Sequence, residues 1–162
     1  MSGSTEAEQK AFMAEAVRLS AEQMRLRHGG PFGAVVVKDG RVVAEGWNCV
    51  TSTNDPTAHA EVTAIRKACG ALGTFSLEGC ELYTSCEPCP MCLSAIYWAR
   101  IDRVYYANTR HHAAEIGFDD ALIYAEVSKP IDDRTIPMVR IDLPEAEAVF
   151  AEWARMPDKI LY

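Results

Sequence analysis

Residues 83–100, YTSCEPCPMCLSAIYWAR, combine three cysteines and two prolines with the apolar run that follows them. Proline is tolerated in the first turn of a helix, where the amides have no intrahelical partner, so we predict a helix that starts near Pro88 and runs to Arg100. Cys89 and Cys92 then share one face of that helix. The positive end of the helix dipole favours their thiolate forms. The segment therefore predicts a metal site at the start of a helix.

A histidine upstream supplies a third candidate ligand. His59 lies in the stretch TAHAEVTAIRKA, residues 57–68, which we predict to be a helix capped by Asp55 or Thr57. Together with the two cysteines, His59 gives three ligands, whereas zinc prefers four. A fourth position filled by water is typical of a catalytic zinc site, so the pattern favours catalysis over a purely structural role.

Cys86 is the alternative fourth ligand, and it would close the site as a structural centre of three cysteines and one histidine. A closed site would leave Glu61 without a chemical role, and Cys86 precedes the predicted helix. We therefore favour the open site and keep the closed one as an alternative.

The spacing His59-Ala60-Glu61, followed by Pro88-Cys89-Pro90-Met91-Cys92, resembles the signature of the zinc-dependent cytidine-deaminase-like enzymes. The resemblance implies one Zn²⁺ per subunit, held by His59, Cys89 and Cys92. We predict that Glu61 takes a proton from zinc-bound water, passes it to a ring nitrogen of the substrate and then protonates the departing amine.

The composition is that of an acidic, globular chain. Of its 162 residues, 49% are hydrophobic, and the formal net charge is −7, so we expect one folded domain over residues 1–162. Such a chain lacks the concentrated basic face that binds nucleic acid, so we expect a small-molecule substrate and no nucleic acid. We also expect no secretory signal and no membrane span, and we interpret the six cysteines as reduced thiols of a cytoplasmic protein.

Hydrophobic periodicity predicts alternating helices and strands. We therefore predict an α/β fold with three layers, α/β/α, around a central mixed five-stranded sheet of the cytidine-deaminase-like type. The predicted elements are a helix over 6–27, a hairpin over 33–47, a polar loop over 51–56, strands over 80–84, 102–107 and 138–143, a long loop over 108–120, and helices over 121–127 and 144–156.

Nearly the whole chain, including NDPTAHAEVTAIRKAC at 54–69 and GFDD at 117–120, resembles the bacterial-type guanine deaminases. This resemblance implies a purine base as substrate and a homodimer that exchanges its C-terminal segments, about 144–162, so that Tyr162 can serve the partner's site. The residues that it implies at the base are Asn48 and Asp120 as polar contacts, Phe32 and Trp98 as apolar walls, and Tyr162 as the group that closes the pocket.

The chemistry of guanine suits these groups. Its ring N–H and exocyclic amine can donate to a carboxylate such as Asp120, and its carbonyl and imidazole nitrogens can accept from the Asn48 amide. Asp119 can take the same role, and Asp120 is alternatively the cap of the helix that follows it. The other functions left open are deamination of wobble adenosine in tRNA, deamination of cytosine or a triazine, a zinc-stabilised binding module and a thioredoxin-like dithiol.

Overall fold

The structure is a computed structural model that describes residues 4–162, and these residues form four strands and seven α-helices. In chain order the elements are α1 (Glu6–Arg25), β1 (Gly33–Lys38), β2 (Arg41–Trp47), α2 (Val50–Thr53), α3 (Ala60–Leu72), β3 (Cys80–Cys86), α4 (Pro90–Trp98), β4 (Arg103–Asn108), α5 (Arg110–Glu115), α6 (Ala121–Ser128) and α7 (Pro144–Arg155). A short 3-10 helix spans Ile131–Asp133. The first three residues, at the terminus for which a secretory signal was considered, lie outside the described part.

The chain divides into two units, one up to Asp120 and one from Ala121 to Tyr162. None of the helices in the described part of either unit combines the length and the apolar character that a bilayer span requires.

The sheet of the first unit has the strand order β2-β1-β3-β4. β1 pairs antiparallel with both β2 and β3, whereas β3 and β4 are parallel. β1 and β2 form the predicted hairpin, with Asp39 and Gly40 at its tip in the left-handed region (φ 49° and 72°). That pair of positive φ angles is typical of the tight turn that matches the twist of two antiparallel strands. β3 and β4 are joined by α4, as in a parallel crossover unit.

Helices cover both faces of the sheet. On one face, Val35, Val37 and Tyr83 pack with Leu19 of α1 in one buried cluster. On the other face, a second cluster joins residues of β1 and β3 to α3 and α4, and its strand and helix members include Ala34, Val36, Leu82, Ala60, Ala64, Ala68 and Ile96. Alternate residues of a strand point to opposite faces, so the all-apolar run of β1 is buried on both sides. The predicted three-layer α/β/α arrangement is confirmed.

Two glycines bring the outer layers close to the sheet. A Cβ atom at Gly46 of β2 would overlap the backbone of Ala60 in α3, and one at Gly33 of β1 would overlap the backbone of Ala16 in α1. The absence of a side chain at each position therefore lets one helix lie directly against one face.

The prediction of a fifth strand at 138–143 is wrong, because the sheet has four strands. The alternation of apolar and polar residues in MVRIDL predicts a strand, but a strand also needs a neighbour for its backbone hydrogen bonds. In the described chain this segment belongs to no ladder, and all six of its side chains are exposed. Two predicted loops are also partly helical, since α2 (Val50–Thr53) overlaps the loop predicted over 51–56 and α5 lies within the loop predicted over 108–120.

Candidate metal and catalytic site

Two helix starts meet at the candidate metal site. His59 is the N-cap residue of α3, and Cys89 is the N-cap residue of α4. Both have extended backbone, with φ and ψ of −69° and 160° at His59 and of −66° and 168° at Cys89. β3 ends at Cys86, so its carboxyl end leads directly into this site. In open α/β sheets, ligands commonly bind at this carboxyl edge.

The helix boundaries correct two details of the sequence analysis. α4 starts at Pro90 and ends at Trp98, so the helix predicted over 88–100 is too long by two residues at each end. The capping role predicted for Asp55 or Thr57 is also wrong, since His59 is the N-cap. Asp55 instead accepts hydrogen bonds from the N–H and the hydroxyl of Thr57, at 2.8 and 2.6 Å, and forms a turn ahead of the helix.

The geometry of the three predicted ligands fits a zinc ion. Nδ1 of His59 lies 3.5 Å from Sγ of Cys89 and 3.5 Å from Sγ of Cys92. A tetrahedral ion with its usual zinc–sulfur and zinc–nitrogen bond lengths would hold nitrogen and sulfur about 3.6 Å apart. All three donor atoms lie within 4.8 Å of one another, and Cys86 is not in the group. The Cys86 thiol instead contacts the carbonyl of Thr109 at 3.7 Å, which favours the open site over the closed one.

The two cysteines of the group differ in their electrostatics. The hydrogen bond from the Cys92 thiol lowers the pKa of Cys89 to about 4, and the same hydrogen bond raises the pKa of Cys92. The hydrogen bond to Cys89 raises the pKa of His59. Burial raises the pKa of Cys86 to about 11 and keeps it a thiol. The charge that can balance a cation is therefore concentrated at the same atoms that the geometry brings together.

Glu61 is a buried carboxyl beside these ligands. It is the second residue of α3, its side chain is only 6% exposed, and Oε2 lies 3.4 Å from Sγ of Cys92. Burial raises its pKa above the ordinary value for glutamate. A carboxyl whose pKa is raised holds a proton more readily than an exposed glutamate, which suits it to work as a general acid and base.

Asn48 is buried at the end of β2, and its amide orientation is defined by the backbone around it. Oδ1 accepts hydrogen bonds from the N–H of Gly30 at 3.3 Å and from the N–H of Val50 at 3.2 Å. Since both backbone groups are donors, the oxygen must be the atom that faces them. The NH₂ group of Asn48 is then the end available to donate to a ligand.

The aromatic and acidic residues predicted at the base lie in two segments. Phe32 is half-buried between α1 and β1 and packs edge-on against Phe118, with ring centroids 4.9 Å apart. Asp120 is half-buried, whereas Asp119 is exposed. Burial raises the pKa of Asp120, the positive charge of Arg110 opposes that rise, and the negative charge of Cys89 adds to it. Phe118 lies in the segment GFDD, and its contact with Phe32 was not predicted from the sequence.

Trp98 and Tyr162 have mainly exposed side chains, at 67% and 72%. Trp98 is the last residue of α4, about 13 Å along the helix axis from Cys89 at its start. Tyr162 is the last residue of the second unit. Their roles as a wall and a closing group stay predictions.

A family model for the cytidine and deoxycytidylate deaminase zinc-binding region matches residues 6–108. The chain belongs to this family. Family membership and the His59, Cys89 and Cys92 donor set together identify a zinc-dependent deaminase, a hydrolase with a zinc cofactor.

Similar proteins extend this family assignment. A guanine deaminase of Bacillus subtilis is 56% identical over 153 residues, which cover 94% of this chain and 98% of that protein. The crystal structure of a guanine deaminase from the same organism matches 94% of this chain with a TM-score of 0.92. A tRNA-specific adenosine deaminase of Aquifex aeolicus is 48% identical over 124 residues, 76% of this chain and 79% of that protein.

Proposed function

We propose that this zinc deaminase converts guanine and water to xanthine and ammonia. The observation that carries the proposal is the similarity to a guanine deaminase over 94% of the chain, at 56% identity. The second support is chemical, because Asn48 presents a donor and Asp120 an acceptor in the unit that also contains the metal ligands.

When bound, the zinc ion supplies a Lewis acid that can bring the pKa of water from about 15.7 to roughly 7. The side chains that fit it are His59, Cys89 and Cys92, through Nδ1 and two sulfurs. The remaining chemistry falls to the protein's own acids and donors.

Glu61 is the proton carrier in this proposal. As the oxygen of water bonds to C2 of guanine, the Glu61 carboxylate takes up the proton that water releases. It delivers that proton to the adjacent ring nitrogen, and the C2 oxygen's second proton then goes through the same carboxylate to the exocyclic nitrogen. The C2–N bond breaks, and that nitrogen leaves as ammonia. The buried position of Glu61 suits it to this work, since burial has already raised its pKa.

Recognition of guanine uses groups of opposite hydrogen-bonding character. The NH₂ of Asn48 donates to an acceptor of the purine, and the carboxylate of Asp120 accepts from the N–H groups of its amidine edge. Adenine has no ring N–H at the corresponding edge and would leave Asp120 poorly matched. Sites built on such pairings reject analogues that lack them by as much as about ten-thousand-fold.

The test is ammonia release from guanine, guanosine, adenine, cytosine and a tRNA stem-loop, with the zinc content of the same preparation measured. We expect turnover of guanine far above the others and one zinc per chain. Turnover of the tRNA stem-loop alone would contradict the proposal. Including a triazine that shares the donor edge of guanine measures how strictly the site selects its substrate.

The second candidate is deamination of wobble adenosine in tRNA. It is supported by the 48% identity to the Aquifex aeolicus enzyme. Against it stands the net charge of −7, because an enzyme that binds tRNA phosphates needs a basic surface around its pocket.

We also propose a single functional domain that works as a homodimer in the cytoplasm and exchanges residues 144–162 between subunits. The support is the exposure of apolar side chains in α7, among them Val149 and Phe150, and of Tyr97 and Trp98 on α4. Several large exposed apolar side chains on one helix are typical of a surface that another chain covers. The six free cysteines are compatible with a reducing compartment.

A further inference from the structure

Phe118 and Phe32 form an aromatic pair. Their ring centroids are 4.9 Å apart and their planes are perpendicular, at 90°. This edge-to-face arrangement is the favourable one, because the positive edge of one ring meets the negative face of the other. Phe118 precedes Asp120 by two residues, so the pair is closely linked to the proposed acceptor of the purine.

The two rings differ in how they are supported. Phe32 packs against the buried cluster that includes Ala34 and Val36, and its carbonyl accepts a hydrogen bond from the N–H of Asn48 at 3.1 Å. Phe118 follows α5, and its N–H donates to the carbonyl of Ala113 at 2.9 Å. The aromatic contact therefore ties the segment 116–120 to a ring that the core holds in position.

Gly30 leaves the space in which the two rings meet. A Cβ atom at this position would lie 3.0 Å from Cζ of Phe118 and 3.1 Å from Cε2 of Phe32, closer than ordinary van der Waals contact. The N–H of Gly30 also donates to Oδ1 of Asn48. Asn48, the proposed donor, is thus connected through Gly30 and the two rings to the segment that carries Asp120, the proposed acceptor.

Asp120 lies within electrostatic reach of the metal ligands. The charge of Cys89 acts on its carboxyl, as do the charges of Arg110 and Glu87. Because Asp120 is only half-buried, its position depends on how well the segment that carries it is held.

We propose that Phe118 is a positioning residue for guanine recognition, which packs on Phe32 and so holds Asp120 where its carboxylate can accept from the purine. The inference rests on the proposed guanine deamination and on the role proposed there for Asp120. A carboxylate on a loose segment would lose conformational freedom each time the base binds, and this loss weakens binding. Phe118 removes most of that cost in advance.

The first experiment compares guanine kinetics of the full-length zinc enzyme with Phe118→Ala and Phe118→Leu. We expect Phe118→Ala to raise KM for guanine about tenfold with little change in kcat, since aromatic pairs contribute roughly two- to thirteenfold in an equilibrium. Phe118→Leu keeps most of the apolar volume and loses the ring, so its KM for guanine should lie between those of the wild type and Phe118→Ala. It also carries the test if the alanine variant fails to fold.

The matched control is Phe75→Ala. Phe75 is 49% exposed, close to the 47% of Phe118, and it precedes β3 at the end of the strand opposite the site. We expect its guanine kinetics to match those of the wild type. A similar rise of KM in this variant would show that losing any half-exposed ring has the same effect, and would overturn the inference.

The decisive measurement is a double-mutant cycle with Asp120→Asn, followed by chromatographic detection of xanthine. If Phe118 acts through Asp120, Phe118→Ala should change kcat/KM by less than about twofold in the Asp120→Asn background. Effects that multiply, or an unchanged KM in Phe118→Ala, would overturn the inference while leaving guanine deamination intact. A wild-type enzyme that does not turn over guanine would overturn the proposed function, and this inference with it.

Discussion

The two units of the chain differ in how they bury their apolar residues. Every member of the two buried clusters lies before Asp120, on the sheet and on the helices that cover it. From Ala121 to Tyr162, by contrast, no residue is buried. Phe150 of α7 and Ile141 are 80% and 83% exposed. The first unit therefore contains a core of its own that positions the metal ligands, whereas the second presents apolar side chains that need another surface to cover them.

The largest expected effect in the first unit follows from removing a metal ligand. We expect Cys92→Ser to lose zinc and with it all detectable deamination, because the variant removes one of three ligand atoms from a fully buried position. Zinc per chain is measured by atomic spectroscopy on the purified protein.

Cys86→Ser is the matched control for Cys92→Ser. Cys86 is also buried and lies next to the same helix, but it is outside the ligand group. It should keep one zinc per chain. Zinc loss in both variants would instead support the closed site with four protein ligands.

Glu61→Gln separates chemistry from structure within the same unit. The variant keeps the size of the side chain and cannot carry a proton, so we expect kcat to fall by about a hundred- to ten-thousand-fold. Zinc content should be unchanged. Activity within a few-fold of the wild type would remove Glu61 from the mechanism.

The contrast in burial itself is tested by thermal and chemical unfolding. Leu82 of β3 is fully buried, and Leu82→Ala should lower the free energy of unfolding by about 2–5 kcal/mol at any protein concentration. Ile141→Ala should cost less than roughly 0.5 kcal/mol in dilute protein, as expected for an exposed position. If a partner covers Ile141, the same variant should weaken dimerisation in sedimentation experiments. A large, concentration-independent loss from Ile141→Ala would show that its own chain buries Ile141, contrary to the difference in burial between the two units.

A further test concerns Tyr162 and asks which chain's site this residue serves. We expect Tyr162→Ala to raise KM for guanine by about tenfold, a loss of one or two contacts. The variant is then mixed with Glu61→Gln and the two chains are refolded together.

In a mixed dimer with exchanged C-termini, one site combines an intact Glu61 with an intact Tyr162 from the other chain. Equal mixing should therefore restore about a quarter of the wild-type sites, because half of the dimers are mixed and each has one good site. If Tyr162 serves its own chain, mixing gives no gain over the average of the two variants.

The metal centre could be predicted from the sequence because its signals are local. The prolines around Cys89 and the H-A-E segment each mark the start of a helix, and a helix start fixes where a neighbouring side chain can point. Two helices that begin at the same edge of the sheet bring their first residues together. This is enough for His59, Cys89 and Cys92 to converge. Zinc itself followed from the softness and number of the donors.

The sheet could not be predicted completely because pairing is not a local property. MVRIDL at 138–143 has the alternation of a strand, yet in the described chain it has no neighbour with which to exchange backbone hydrogen bonds. α5 was not predicted because its local sequence signals are weak. It has only six residues, and Thr109 and His112, which form its capping box, do not match the usual serine or threonine with glutamate pattern.

The contact between Phe32 and Phe118 was not predictable in the same way as the metal ligands. The two residues are far apart in the chain, and neither has a spacing that indicates its partner. Only the folded arrangement of β1 and the segment after α5 brings the rings together.

Gly46 sets a constraint on how this enzyme can change over time. Since α3 rests on the bare backbone at that position, any side chain there would lift the whole helix, and His59 and Glu61 would move with it. Random substitution at position 46 should therefore be selected against as strongly as substitution of a ligand, although the residue never meets the metal or the base. Mutational scanning for growth on guanine as nitrogen source would reveal it as an intolerant position on a strand otherwise open to exchange at Arg41 and Val42, which are exposed.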